Sequence, residues 1–231
     1  MSAELRDLVS LACRVLGDAE QGDLIWGHVS ARDPQGRGVW MKAAGLGFEE
    51  VGPDQVLLVS WDGAVLEGEG RRHVEYPIHT EVLRARADVG SVVHTHSPAA
   101  VALGALGVPL RAISHEANLF VPPDLARFTE TGDLVLTADL GRRLAAALGD
   151  RNACLVVNHG IVVAAADVPT AAVTAYLLDR ACRMQLTAMS AGGWASWSSP
   201  EEGLAKREHC YPDPLLHGAW EYLVRRLDRR G

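Results

Sequence analysis

The sequence predicts an α/β protein of the α+β type, built on a central, mainly antiparallel sheet with helices flanking both faces. Three observations lead there. Short apolar runs that read as strands recur along the chain, several of them joined by tight turns such as residues 33–38 and Asp62-Gly63. Between them lie longer stretches with helical apolar stripes. The two kinds of element mix without a strict strand–helix–strand repeat.

Residues 3–17 carry Leu5, Leu8, Val9, Ala12, Cys13 and Leu16 on one helical stripe, with Gly17 as the expected stop. Val29 and Ala31 begin a strand, and Val39-Trp40-Met41-Lys42 returns from the turn after it. Residues 43–47 are a small-residue loop, and a short helical turn over 51–54 precedes a strong strand over 55–61. Asp62-Gly63 folds the chain back into Ala64-Val65-Leu66. Residues 71–75 are polar and predict a loop, and Pro77 suits the first turn of a helix carrying His79, Val82, Leu83 and Ala85.

Residues 89–93 are an apolar strand that runs into His94-Thr95-His96, and an apolar helix follows over 98–106. Residues 111–118 begin as a strand and end polar, 122–131 read as a loop with a short helical piece, and 134–136 as a further strand. An amphipathic helix over 139–148 closes at Gly149. A second histidine-tipped strand ends at His159, followed by an apolar run over 161–165 and a long helix over 168–189. Ser199 with Pro200, Glu201 and Glu202 opens another helix, and a last amphipathic one spans 215–227.

With 231 residues, 48% hydrophobic and 22% charged, the chain suits one large domain, expected to span residues 1–231. A net charge of −7 argues against nucleic acid or an anionic membrane surface as partner. No run approaches the ~20 apolar residues of a membrane helix, and the charged N-terminus lacks a signal-peptide core. Cys13, Cys154, Cys182 and Cys210 are scattered and form no Cys-x-x-Cys pair. The first three have apolar surroundings, as buried thiols of a reducing compartment do, so a soluble cytoplasmic protein is expected.

The chemistry concentrates at the histidines. On a strand His94 and His96 point the same way, two imidazoles ready to share a cation. Glu75 lies upstream in Val-Glu-Tyr-Pro-Ile-His, and His159 far downstream in Val-Asn-His-Gly. Each alone reads as a hydrogen-bonded strand-end or loop residue, with Glu75 paired to Arg71 or Arg72. Together, three neutral imidazoles and one carboxylate suit zinc, manganese, iron or cobalt. Glu75 then either completes the coordination sphere or leaves it to act as a base. No glycine spacing has the strand–turn–helix setting of a nucleotide site.

Glu75-x-x-x-His79, His94-Thr95-His96, Asn158-His159-Gly160 and Gly27-His28-Val29-Ser30-Ala31-Arg32 resemble the class II aldolase/adducin family over about residues 5–190. The resemblance implies a three-layer fold on a nine-stranded-type sheet and one divalent metal per subunit on Glu75, His94, His96 and His159. It further implies a homotetramer with the active site at a subunit boundary, and metal stabilisation of an enolate as the shared chemistry. Sugar-phosphate members carry Gly-Asn-Val-Ser, a Ser/Thr-Gly loop and a serine pair before the glutamate, which hold a phosphate dianion. Here those places hold His28, Ala43-Ala44-Gly45 and His73-Val74, so a phosphate would be poorly satisfied.

Gly-His-Val-Ser-Ala-Arg and the segment after His79 are instead similar to the branch that decarboxylates hydroxyaromatic acids. On that likeness a small carboxylate substrate meets His28, Ser30, Lys42, Gly45, Arg71 and His73. His115 stands where aldolases place a proton-donating tyrosine that reaches a neighbouring subunit, with Glu116 to orient it and Tyr222 closing the site from the C-terminal region. The expected function is a metal-dependent carbon–carbon lyase, a decarboxylase of a hydroxylated aromatic or related hydroxy acid. Alternatives are an aldolase for a non-phosphorylated hydroxy-keto acid, a non-haem iron oxygenase, and a non-catalytic adducin-like module.

Overall fold

The computed structural model describes residues 2–229. Its strands are β1 (His28–Arg32), β2 (Gly38–Lys42), β3 (Val56–Ser60), β4 (Val65–Glu67), β5 (Ser91–Thr95), β6 (Ala126–Phe128), β7 (Ala153–Val156) and β8 (Gly160–Ala165). Its helices are α1 (Ser2–Asp18), α2 (Tyr76–Ala85), α3 (Pro98–Leu106), α4 (Ala138–Leu148), α5 (Val168–Ser190), α6 (Pro200–Cys210) and α7 (Asp213–Asp228). The strands form one eight-stranded sheet in the order β4-β3-β2-β1-β5-β8-β7-β6. Every pairing is antiparallel except β6 with β7.

Strand alternation sorts the core onto two sides. Val29, Val93, Ile161 and Val163 face α1, α3 and α5, where Leu16, Leu103 and Leu178 are buried. Met41, Val92 and Val162 face α2 and α4, packing with Ile78, Val82 and Leu144. Each such side chain contributes about 1.5–3 kcal/mol on leaving water. By the same period of two, His28, Ser30 and His94 share the α2 side. Arg32, next along that face of β1, donates from Nη2 to the carbonyls of Leu83 at 2.6 Å and Arg86 at 2.8 Å. It therefore satisfies the open C-terminal end of α2. Through Arg32, β1 thus anchors the helix whose N-cap is Glu75.

Several expectations need correction. Gly17 lies inside α1, which runs on to Asp18, whose carboxylate accepts from Arg226 Nε at 2.7 Å. The sheet has eight strands among the described residues, not nine. Residues 111–118 form no strand, because their backbone is claimed otherwise. Arg111 N donates to Gln185 Oε1, Ala112 O accepts from Ser198 N, and Glu116–Leu119 close into a 3-10 turn. Residues 134–136 form no strand either, since Val135 N donates to the Glu75 carboxylate instead of a neighbouring chain. Conversely, the loop expected over 122–131 contains β6, an edge strand paired with β7. His159 sits in the tight turn between β7 and β8, not on a strand.

Candidate metal centre

Glu75, His94, His96 and His159 come together with one ligand atom each, all within 4.8 Å of one another. Glu75 is the N-cap residue of α2. His94 is on β5, opposite His28 of β1 and Val162 of β8, and His96 follows just past the strand end. In the turn before β8, Asn158 adopts φ +62°, a left-handed conformation that asparagine tolerates, and so swings His159 inward. Gly160 explains the His-Gly pair: a Cβ there would lie 2.5 Å from Thr95 O and 2.8 Å from His96 Cδ2. Only glycine lets β8 pass this close to the histidine strand.

The hydrogen bonds fix which nitrogens remain available. His94 Nδ1 donates to Ile161 O at 2.9 Å, and His96 Nδ1 donates to the Asp23 carboxylate at 3.0 Å. With both rings neutral, both Nε2 atoms are then lone pairs, 3.1 Å apart. Two lone pairs this close repel unless a cation lies between them. His159 gives a second sign, for both its ring nitrogens are buried with no hydrogen-bond partner. An orphaned buried polar group of this kind costs about 1–3 kcal/mol. His159 Nε2 is 3.7 Å from Glu75 Oε1, and Glu75 Oε2 is 3.9 Å from His94 Nε2. The residues present fit a divalent cation.

The electrostatics agree. Burial, then the neighbouring His159 and His96, hold His94 well below its ordinary pKa, and burial brings His159 down to about 4. Neutral imidazole is the ligating form. Burial raises the Glu75 carboxyl, only partly offset by the Val135 N–H. That amide holds Oε1 at 2.8 Å and so orients the carboxylate.

Behind the ligands lies a second buried layer. His28 Nδ1 is 2.6 Å from His79 Nε2, and His79 Nδ1 is 2.6 Å from Ser30 Oγ. His28 stacks on His94 with ring centroids 4.9 Å apart, its Nε2 4.0 Å from Glu75 Oε2. If Ser30 donates to His79, then His79 donates to His28, whose Nε2–H points toward Glu75. If the chain runs the other way, His28 Nε2 is an acceptor.

His73 lies 4.3 Å from the His28 ring centroid, and Lys42 Nζ 3.3 Å from His73 Nε2. Lys42 is fully buried, its ammonium pushed down by desolvation and donating to Ile25 O at 3.1 Å. Lys42 thus joins the loop before β1 to His73. Gly45 (φ +88°) lies in a loop joined to the 71–73 segment, where Ala44 N donates to Arg71 O at 2.8 Å. Arg71 is exposed, and Arg72 is tied to Gly63 O and lies over the Tyr76 ring.

The remaining candidates lie elsewhere. His115 is exposed, with Nδ1 3.6 Å from Cys210 Sγ, and lines a separate cavity with Trp197 and Lys206. Glu116 does not hold it, because its carboxylate accepts from Arg180 Nε at 3.0 Å. Tyr222 on α7 is 52% exposed and does not line the metal cavity. Sequence reasoning passed over Asp23, since nothing local links it to His96. It also passed over Asn158's turn-forming role, although Asn-x-Gly between two apolar runs is a turn signature.

Fold and site define a mixed α/β protein with a buried three-histidine, one-carboxylate centre. Residues 7–186 match the Class II Aldolase and Adducin N-terminal domain, and the chain belongs to that family. It is 31% identical to the 3,4-dihydroxyphthalate decarboxylase of Arthrobacter keyseri, over 97% of this chain and 94% of that protein. It is 29% identical to the 5-deoxy-D-ribulose 1-phosphate aldolase of Bacillus thuringiensis serovar kurstaki, over 80% and 86%. The crystal structure of an aldolase II superfamily protein from Pseudomonas syringae superposes with a TM-score of 0.88 at 28% identity, covering 100% of this chain and 94% of that one. No helix among the described residues is long and apolar enough to cross a membrane.

Proposed function

We propose that this chain is a divalent-metal-dependent carbon–carbon lyase, a decarboxylase of a hydroxylated aromatic acid. The observation that carries this reading is the pair of bare Nε2 atoms of His94 and His96 at 3.1 Å, joined by Glu75 and the unpartnered His159. Near full-length similarity to a dihydroxyphthalate decarboxylase supports the choice of substrate class. Zinc, manganese, iron and cobalt all suit this ligand set. A divalent ion held there supplies Lewis acidity that withdraws charge from a substrate oxygen while the carbon–carbon bond breaks.

The chain's own residues do the rest. Val135 N–H and Asp23 hold Glu75 and His96 in place. His28, oriented through His79 and Ser30, presents Nε2 beside Glu75 for a substrate oxygen. His73 and Lys42 back it with a buried polar layer, and Gly45 and Arg71 lie at its edge. The carbon that loses carbon dioxide takes a proton. We assign that proton to His115 acting on a neighbouring subunit, since His115 does not line the metal cavity of its own chain. This makes the working form an oligomer, a homotetramer in our reading, with Tyr222 at the same boundary. Each protomer is one domain over residues 1–231. Free cysteines, three of them buried, favour the cytoplasm.

Similarity to a sugar-phosphate aldolase supports aldol cleavage as a second reading. Against a phosphorylated substrate stand His28 and His73, bulky imidazoles where hydroxyl and amide donors would be needed. The deciding experiment incubates metal-loaded protein with a panel of dihydroxybenzoic and dihydroxyphthalic acids and measures carbon dioxide. Release that disappears on chelation is expected. No release from any of them, with aldol cleavage of a hydroxy-keto acid instead, would sink the decarboxylase reading.

A further inference from the structure

We propose that Trp26 is the specificity-determining residue that receives the substrate's aromatic ring; this rests on the hydroxyaromatic reading above. The metal centre opens into a cavity of about 420 Å3, within the usual range of small-molecule sites. Glu75, His96 and His159 give it polar lining, as do Asp23, Asp133 and Asn158. Trp26, Pro98, Val101 and Leu134 supply the apolar lining. Trp26 is 49% exposed and Leu134 44% exposed, so two large apolar side chains stand half in solvent beside a metal site. Isolated exposed hydrophobics are ordinary, but an indole and a leucine that both line one cavity mark a surface suited to an apolar ligand.

The loop that carries Trp26 is held unusually firmly for a surface segment. Trp26 N donates to Asp23 O at 3.0 Å. The buried Lys42 ammonium donates to Ile25 O at 3.1 Å, spending a fully buried charge on a loop carbonyl. Leu24 adopts φ +49°, a left-handed conformation unfavourable for a residue with a side chain. The backbone at Gly27, with φ +77°, favours glycine, and a Cβ there would press on the Phe48 ring at 3.2 Å. The same loop supplies Asp23 to His96 Nδ1. Trp26 and the Asp23 that orients His96 therefore belong to one loop, only three residues apart, which ties the indole's place to that of the cation site.

The apolar lining also selects chemically. A planar ring gains from stacking on an indole beyond its buried area. A polyhydroxylated chain would leave the hydroxyls turned toward the indole without partners.

The test measures binding of 3,4-dihydroxybenzoate and of acetohydroxamate, an aliphatic chelator, to metal-loaded protein by calorimetry. Trp26→Ala should weaken 3,4-dihydroxybenzoate about tenfold, leave acetohydroxamate within twofold and leave the metal content unchanged. Trp26→Phe should recover most of the lost affinity. The inference is overturned if wild-type protein does not bind 3,4-dihydroxybenzoate, or if Trp26→Ala binds both probes as before or loses both equally. It is equally overturned if the variant changes the oligomeric state while ring binding persists, which would make the loop a subunit contact. Ring binding through Trp26, with no carbon dioxide release from any acid of the panel above and aldol cleavage instead, would retain this inference and reject the decarboxylase reading.

Discussion

Asp23 and His96, far apart in the chain, meet at 3.0 Å between Oδ2 and Nδ1. The carboxylate fixes the proton on Nδ1 and aims the Nε2 lone pair at the other ligands. Such outer partners typically change metal affinity by 10–100-fold. Asp23→Asn should weaken metal binding by about that factor while leaving the fold intact, as read by competition against a calibrated chelator. Wild-type affinity in the variant would show that the contact is incidental.

Gly160 passes between the two halves of the ligand set. A methyl group there would sit 2.5 Å from Thr95 O and 3.3 Å from His94 Cε1. Gly160→Ala is expected to cost about 1–3 kcal/mol through overpacking, lowering Tm by roughly 2–4 °C per kcal/mol, and to reduce metal content as well. Thermal melts and metal analysis on one sample check both; an unchanged Tm would mean that β8 can shift freely.

Acid should unfold the metal-free protein through its buried imidazoles. Burial, with Lys42 and His96 adding for His73, and with His73 adding for His79, brings both pKa values from 6.5 to about 3. Their folded-state pKa values are depressed, so the unfolded chain binds more protons between those limits. The stability is fully present above pH 6.5 and is lost progressively as pH falls toward 3. Each group removes up to about 1.4 kcal/mol per pH unit. Urea midpoints measured from pH 7 to pH 5 should fall, and more gently in His79→Asn. A flat profile would mean that these rings are not held neutral by the fold.

Subunit complementation tests where the proton comes from. His94→Ala should lose metal and activity together, because its Nε2 is central to the ligand set. His115→Ala should keep the metal and lose activity by about 10²–10⁴-fold, the usual worth of general acid–base catalysis. Mixing the two inactive proteins under subunit exchange should restore part of the activity. If His115→Ala is fully active, or if no activity returns on mixing, the cross-subunit role fails.

Much of the fold was legible because its causes are local. The turn at residues 33–38, the Asp62-Gly63 hairpin, the proline-led start of α2, the full extent of α3 and the Ser199 cap of α6 each follow from a few adjacent residues. Where strands were expected and did not form, a distant group had taken the backbone. Val135 N serves Glu75 rather than a strand, and Arg111 N serves Gln185.

The same division runs through the site. The sequence by itself determined the candidate residue types and the strand-end place of His94 and His96, because side-chain period and residue chemistry are properties of short segments. Only the tertiary structure decided that Asp23 orients His96, that His79 links Ser30 to His28, and that Lys42 holds the Trp26 loop. Those contacts depend on strand register and on where α2 packs across the sheet. Register and packing are set by burial over the whole chain, and no short stretch carries them.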